Sequence, residues 1–321
     1  MGKRDKTSVI LLCAVLIPLP FILSRWDATS YYPDVLVFVA IHSIIATGLC
    51  LLLGFAGQIS LGHAAFYGIG AYASGIITTK LGYSPWLAIM AGILIACSVA
   101  YCVGVPALRL RGHYLAMATL GFGVIVYIVF NEYISLTGGP SGFGEIPRLS
   151  LFGISLDTTT RFYYFAWFLA IIVLILSLNI VHSRVGRALR AIHGSELAAT
   201  AVGVDAAAYK VQILMVSAAF GAVAGSLYAH YVTFVNPPPF NIFFSLKLLM
   251  MVVIGGTGSV WGAFAGAALL TFLPEWLSFL EDFDVLAYGL LLLVIVMFLP
   301  DGLIGLVSRS HALALRIVRR A

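Results

Sequence analysis

Apolar runs succeed one another along almost the whole chain, near residues 8–23, 35–53, 64–79, 86–105, 114–134, 163–182, 210–235, 245–254, 261–274 and 285–299. Several approach the ~20 residues with which an α-helix crosses the hydrocarbon core of a bilayer. Composition points the same way. The 321 residues are 61% hydrophobic and only 10% charged, and mean hydropathy is +1.05. A soluble domain carries about 25% charged residues, so too few charges remain here to cover a water-exposed surface. These features predict an all-α polytopic membrane protein with about 8–10 transmembrane helices. It forms a single transmembrane domain over residues 1–321, and no soluble domain fits anywhere.

The eighth and ninth runs are short for spans and read as one broken helix or a re-entrant pair. Either reading leaves both termini on the same side. Lys and Arg identify that side. With the N-terminus inside, 13 of the 18 basic residues fall in cytoplasmic segments and five (Arg25, Lys80, Arg148, Arg161, Lys247) outside, the asymmetry of the positive-inside rule. Both termini are therefore expected in the cytoplasm. The longest inner interval is about 183–209, and a basic tail occupies about 308–321. The basic N-terminus and its apolar run lack an A-x-A cleavage site, which predicts a retained first helix bent at Pro18 and Pro20. The net charge of +5 is read as loop topology, with no nucleic-acid partner.

Catalytic and cofactor chemistry is missing from the pattern. The four cysteines (Cys13, Cys50, Cys97, Cys102) all sit in apolar runs and fit no metal or disulfide spacing. No His pairing resembles HExxH, and Glu281-Asp282-Phe283-Asp284 reads as a solvated outer loop. Gly139-Pro140-Ser141-Gly142 mimics a serine-protease motif, but a polar loop follows it and a turn is expected. A phosphate-binding loop needs Gly-Lys-Ser/Thr; the one Gly-Lys here is Gly2-Lys3. Ion-coupled carriers keep ionisable relays near mid-membrane, whereas the acidic residues here fall at segment ends or in loops. No catalytic residue, metal or cofactor is assigned, and energy for any transport must come from elsewhere.

Two glycine-rich breaks look related: GFAGQISLGHAAFYGIGAY at 54–72 and IGGTGSVWGAFAGAAL at 254–269. Each interrupts an apolar run and re-enters a small-residue helix, and broken helices in corresponding halves point to a transport pathway. Irregular backbone at membrane depth is tolerated only in protein interiors or cavities. Gly57, Gln58, Ser60, Gly62 and His63 are therefore the candidate translocation-path residues. Ser217, Gly221, Gly225 and Ala229 form a small-residue stripe for close helix packing. In the inner loop, Ser195 is a plausible N-cap, Gly203 a left-handed terminator and Asp205 the cap of the next helix. A short helix is expected at about 196–202, with Glu196, Ala199 and Gly203 sharing a face.

The stretches at 54–72, LRLRGHYLAMATLGFG (108–123), LTGGPSGF (136–143), SRVGRALRAIHGSELAATAVGVD (183–205) and VVIGGTGSVWGAFAGA (252–267) together resemble one family. It comprises the LivM-like inner-membrane permease subunits of branched-chain (hydrophobic) amino-acid ABC importers. The match runs in family order over roughly residues 35–305. The resemblance implies a LivH-like second permease subunit, two cytoplasmic ATP-binding subunits and an extracytoplasmic substrate-binding protein, assembled in membrane lipid. It also implies that the 183–209 loop carries the helix that docks on the ATPase. Glu196, Ala198, Ala199 and Gly203 are then the coupling residues, flanked by Arg187 and Arg190. A urea or short-amide importer and a stand-alone channel remain the alternative readings.

Overall fold

Every backbone polar group inside a bilayer needs a protein partner, and the apolar runs meet that demand as helices. The computed structural model describes residues 3–20, 31–107, 110, 112–151, 154–277, 289–290, 293 and 302–303. The basic tail, most of the 285–299 run, the acidic stretch 281–284 and Arg109 and Arg111 lie outside the described residues.

The first helix, α1 (Lys3–Leu16), stops where prolines remove donors. The Leu16 carbonyl would pair with the amide of residue 20, which is Pro20 and has no N–H. The Tyr163 hydroxyl donates to it instead at 2.9 Å, and the Tyr164 hydroxyl donates to Ile17 O at 2.8 Å. The chain turns at Ile17 and Pro18 and is helical again at Leu19 and Pro20, so the expected bend is present and is stapled by two phenols.

The second helix, α2 (Tyr32–Cys50), continues through a π-helical turn at Leu51–Phe55. Its apolar window is 89% buried, which makes it the axis of the bundle. The helices that follow are α3 (His63–Thr79), α4 (Pro85–Ala107) and α5 (His113–Glu132). A four-residue α6 (Ile134–Thr137) precedes α7 (Thr159–His182). Two short helices, α8 (Arg184–Gly194) and α9 (Glu196–Ala201), lead into α10 (Ala206–Val232). The last two are α11 (Ile242–Gly255) and α12 (Val260–Leu277). The window of α5 is only 17% buried, so α5 belongs to the periphery, facing lipid or a partner.

Among the described residues five helices are long and apolar enough to cross a membrane: Tyr32–Phe55, α4, α5, α7 and α10. The expected eight to ten spans include the 285–299 run, most of which lies outside the described residues. Within them, the glycine breaks cut two further runs into shorter helices, 17 residues in α3 and 14 in α11. The all-helical expectation misses only a minute hairpin, β1 (Ser150–Leu151) against β2 (Ile154–Ser155), in the 135–162 loop. Gly139–Ser141 in that loop is a 3-10 turn, as expected.

Side-chain pairs set the helix directions. Gly48 packs on Ser217 and Asp34 accepts from Tyr231, so α2 and α10 are antiparallel. His63 pairs with Ser217 and Ser74 with His230, so α3 runs parallel to α10 and back along α2. The runs at 245–254 and 261–274 form two antiparallel helices, because Gly266 packs on Met251 and Gly262 on Gly255. The broken-helix alternative therefore gives way to a tight α11–α12 hairpin turning at Gly256–Ser259. One end of the bundle gathers the 183–205 connector with Asp5, which pairs with His182 at 3.0 Å. The far end gathers Asp34, Thr159 (3.0 Å apart) and Lys80, which donates to Ser135 and Leu136 carbonyls.

The small-residue stripe of α10 does what its spacing predicts. A Cβ built on Gly225 would fall 1.9 Å from the Tyr67 carbonyl oxygen, and one on Gly70 2.3 Å from that of Ala222. Ser226 Oγ donates to Gly70 O at 3.2 Å across the same contact. Gly225→Ala is expected to destabilise the protein by about 3 kcal/mol or more, because backbone cannot give way as a flexible side chain does. Gly121→Ala should be neutral or slightly stabilising, since nothing lies within 4 Å of its added Cβ. Thermal unfolding midpoints in detergent, read by size-exclusion fluorescence, check both.

Candidate functional site

The π-turn ends in a run that cannot continue a helix. Gly57 has φ +67°, a conformation that costs an L-residue about 1–2 kcal/mol, and residues 57–62 are irregular. Neighbouring side chains replace the lost ladder. Thr119 Oγ1 accepts from Leu61 N–H at 3.0 Å, and Ser245 Oγ accepts from Ala64 N–H at 3.0 Å. His63 is fully buried and bridges two hydroxyls, Nδ1 to Ser60 Oγ at 2.9 Å and Nε2 to Ser217 Oγ at 2.6 Å.

Gln58 is the exception. It is 2% exposed, and both its amide nitrogen and oxygen lack a hydrogen-bond partner among the described residues. A buried unsatisfied amide costs about 1–3 kcal/mol per group, and such groups are uncommon enough to call for a reason. Gln58 and Ser60 line a space of about 10 Å³ with Leu52, Leu115, Phe122 and Leu214. That volume is too small for a solute, and Gln58 brings an unpaired amide to it.

Of the five candidate path residues, Gly57 is exposed and Gln58, Ser60, Gly62 and His63 are buried. Sequence reasoning missed their partners. Thr119 sits inside an apolar helix, and Ser217 reads as one more small packing residue. Only a three-dimensional donor–acceptor account separates them from their neighbours.

The two breaks also touch. A Cβ on Gly54 would lie 1.8 Å from the Thr257 carbonyl oxygen, and Cys50 Sγ contacts the Thr257 and Ser259 carbonyls at 3.6 and 3.5 Å. His193 reaches the same place from the connector. Its Nδ1–H donates to Gly54 O at 3.1 Å, a carbonyl that the π-turn leaves without its helical partner, since Gln58 N–H bonds Leu52 O instead. The His193 ring also packs where a Gly57 Cβ would sit, 2.8 Å from Cδ2.

His193 ends α8, and the coupling candidates follow at once. Ser195 Oγ accepts from Ala198 N–H at 3.3 Å, α9 spans Glu196–Ala201, and Gly203 has φ +86°. Asp205 caps α10 through Ala208 N–H at 3.0 Å. The capping scheme is as read from sequence. The outward face is not. Glu196 pairs with Lys210 Nζ at 2.9 Å, and Ala199 is buried with Ile192 and Ala206. The face shared by Glu196 and Ala199 therefore grips the protein itself. Arg187, Arg190, Ala198 and Gly203 are exposed, and the prominent surface groups are two that sequence reasoning passed over, Leu197 at 71% and Val202 at 79% exposure.

Five helices long and apolar enough to cross a membrane, with backbone breaks packed between them, mark a multi-pass membrane protein. Residues 31–299 match the family described as branched-chain amino acid transport system / permease component, and the chain belongs to it. It is 31% identical to the high-affinity branched-chain amino acid transport system permease protein LivM of Escherichia coli K12, over 94% of this chain and 75% of that protein. Similarity to LivM of Salmonella typhimurium is 30% over the same shares. The E. coli K12 permease protein LivH is 29% identical over 82% of this chain and 91% of its own length. No solved structure matches the chain significantly.

Gly57→Ala is expected to lower stability by about 2–3 kcal/mol, combining the positive-φ penalty with the ring clash. In a His193→Ala background the clash disappears, so the same substitution should cost only the ~1–2 kcal/mol backbone share. A double-mutant cycle of unfolding midpoints measures that difference.

Proposed function

We propose that the chain is a permease subunit of an ATP-driven ABC importer in the inner membrane, carrying branched-chain or related hydrophobic amino acids. A LivH-like permease would pair with it, two cytoplasmic ATP-binding subunits would drive it, and an extracytoplasmic binding protein would deliver substrate. Both termini and the 183–209 connector then lie in the cytoplasm. Family membership supports the transported class, and likeness to both LivM and LivH supports a second, related permease.

The observation that carries the coupling role is the exposed apolar pair on a short helix fastened from behind. Leu197 and Val202 project from α9 and its C-terminal cap, while the Glu196–Lys210 ion pair and buried Ala199 hold the other side. Exposed apolar groups suit a protein interface, and the preceding helix α8 exposes Arg184, Arg187 and Arg190. A rigid mount lets a push on α9 travel through α8 to His193 and from there to the two breaks. Gln58 and its neighbours form the constriction that this push would open, exposing the unpaired amide to water or substrate.

Replacing both Leu197 and Val202 with Glu is expected to reduce copurification of ATP-hydrolysing subunits about tenfold, as loss of a small hot spot does, with the amount of folded permease unchanged. Ala199→Glu should act differently, lowering the yield of the permease itself by burying a charge beside Ile192. Import by a complex that binds no ATPase, or persistent uptake in ATP-depleted cells, would contradict the proposal and favour a stand-alone channel.

A further inference from the structure

A cavity of about 510 Å³ opens near the far end of the bundle, between the start of α2, the end of α10 and the α11–α12 hairpin. It is separate from the space at Gln58, and its size falls within the ~300–1,000 Å³ of small-molecule sites. Its depth is aromatic. Tyr67 stacks on Phe244 with ring centroids 5.1 Å apart, and Tyr228 and Phe38 continue the wall at 5.6 and 6.4 Å. The floor is closed by His42 and Thr271. Thr271 Oγ1 donates its one proton to Ala267 O at 2.6 Å, so at 2.8 Å it accepts from His42 Nδ1–H. The floor is thus an imidazole whose Nδ1–H is already taken by a hydroxyl.

Two opposite charges stand above it. Lys247, on the second turn of α11, lines the cavity and makes no hydrogen bond or ion pair with the other described residues. Glu275, on the last turn of α12, lines it too and accepts from the Tyr31 hydroxyl at 2.9 Å. That bond pushes the Tyr31 phenol pKa up, as an ionised acceptor does. A cation placed within an apolar helix and given no protein partner is costly and functional by default. Phe243, 72% exposed, forms the rim beside Lys247.

We propose that this cavity is the permease's own amino-acid site, binding the zwitterion of an apolar α-amino acid. Lys247 receives the α-carboxylate, Glu275 receives the α-ammonium, and the branched side chain points down against Tyr67, Tyr228 and Phe244. Charge decides the orientation. The ammonium also gains from the ring faces near the mouth, and the aliphatic end meets the faces of the aromatic rings that form the wall. The site lies on the side opposite the connector, where a delivered solute would arrive. The inference rests on the importer reading and adds a location and a recognition scheme to it.

The test uses the assembled complex in nanodiscs, without the binding protein, and tritiated L-leucine. Saturable leucine binding is expected. The truncated analogues 4-methylpentanoate, which lacks the ammonium, and 3-methylbutylamine, which lacks the carboxylate, should each compete about tenfold more weakly, the loss expected for one charge-assisted contact. Lys247→Gln should weaken leucine about tenfold while leaving 3-methylbutylamine unchanged, and Glu275→Gln should do the reverse with 4-methylpentanoate. Lys247→Arg should keep leucine binding, a rescue that a purely structural lysine would not show by ligand. The wild-type analogue ranking stands even if a variant fails to fold. Equal competition by leucine and both analogues, or no saturable leucine binding, would overturn the proposal. Leucine import by the complete wild-type system in proteoliposomes is measured in parallel. Import without binding here sinks the site alone, whereas absence of import sinks the importer reading.

Discussion

The absence of a side chain at Gly54 is the constraint on which the rest depends. A methyl group there would stand 1.8 Å from the Thr257 carbonyl oxygen, closer than any atom tolerates, so the backbone of the first break lies directly on the turn of the second. Dispersion falls steeply with distance, and in lipid, where apolar surface drives little helix association, such close approach is what holds helices together. The same residue supplies the carbonyl that His193 binds. Three segments far apart in sequence, 54–62, 256–259 and 183–205, therefore meet at one point. On the opposite face, Gly302 packs on Gly256 and extends the junction toward the C-terminal part.

Several polar groups of the bundle hold its shape: His63 between two serines, Thr119 on Leu61, and His230, whose Nδ1–H donates to Pro147 O while Nε2 accepts from Ser74. Two others stand where the proposed function would use them. Gln58 keeps an unpaired amide beside a space of about 10 Å³, and Lys247 keeps an unpaired ammonium at an aromatic cavity among the described residues. The proposed transport cycle links these two places. Substrate is held at the far end until a displacement at the connector end, passed through His193, loosens the breaks around Gln58.

Much of this was legible in the sequence because it depends on local rules. Apolar runs gave helices, prolines at 18 and 20 bent the first, and Ser195, Gly203 and Asp205 took their capping roles. The glycine breaks fall where the backbone leaves regular helix at 57–62 and 256–259. What the sequence concealed depends on long-range pairing. Whether 245–274 was one helix or two turned on Gly266 meeting Met251, and only the folded hairpin shows that. The face of α9 turned on Lys210, seven residues beyond the Gly203 terminator, capturing Glu196 and turning Ala199 inward. A six-residue helix has too little amphipathic pattern to declare its outer side. Lys247 entered the sequence reading only as one of five basic residues on the outer side; in the fold it lines a cavity.

The central claim is that His193 transmits motion of the connector to the breaks, and one ratio tests it. In proteoliposomes containing the complete importer, His193→Ala removes the ring and its bond to Gly54 while leaving Leu197, Val202 and the α9 mount in place. Leucine imported per ATP hydrolysed should fall about tenfold, the scale of one lost hydrogen bond to an otherwise unpaired carbonyl, with ATP hydrolysis itself retained. An unchanged ratio, with import and hydrolysis both at wild-type levels, would contradict the account.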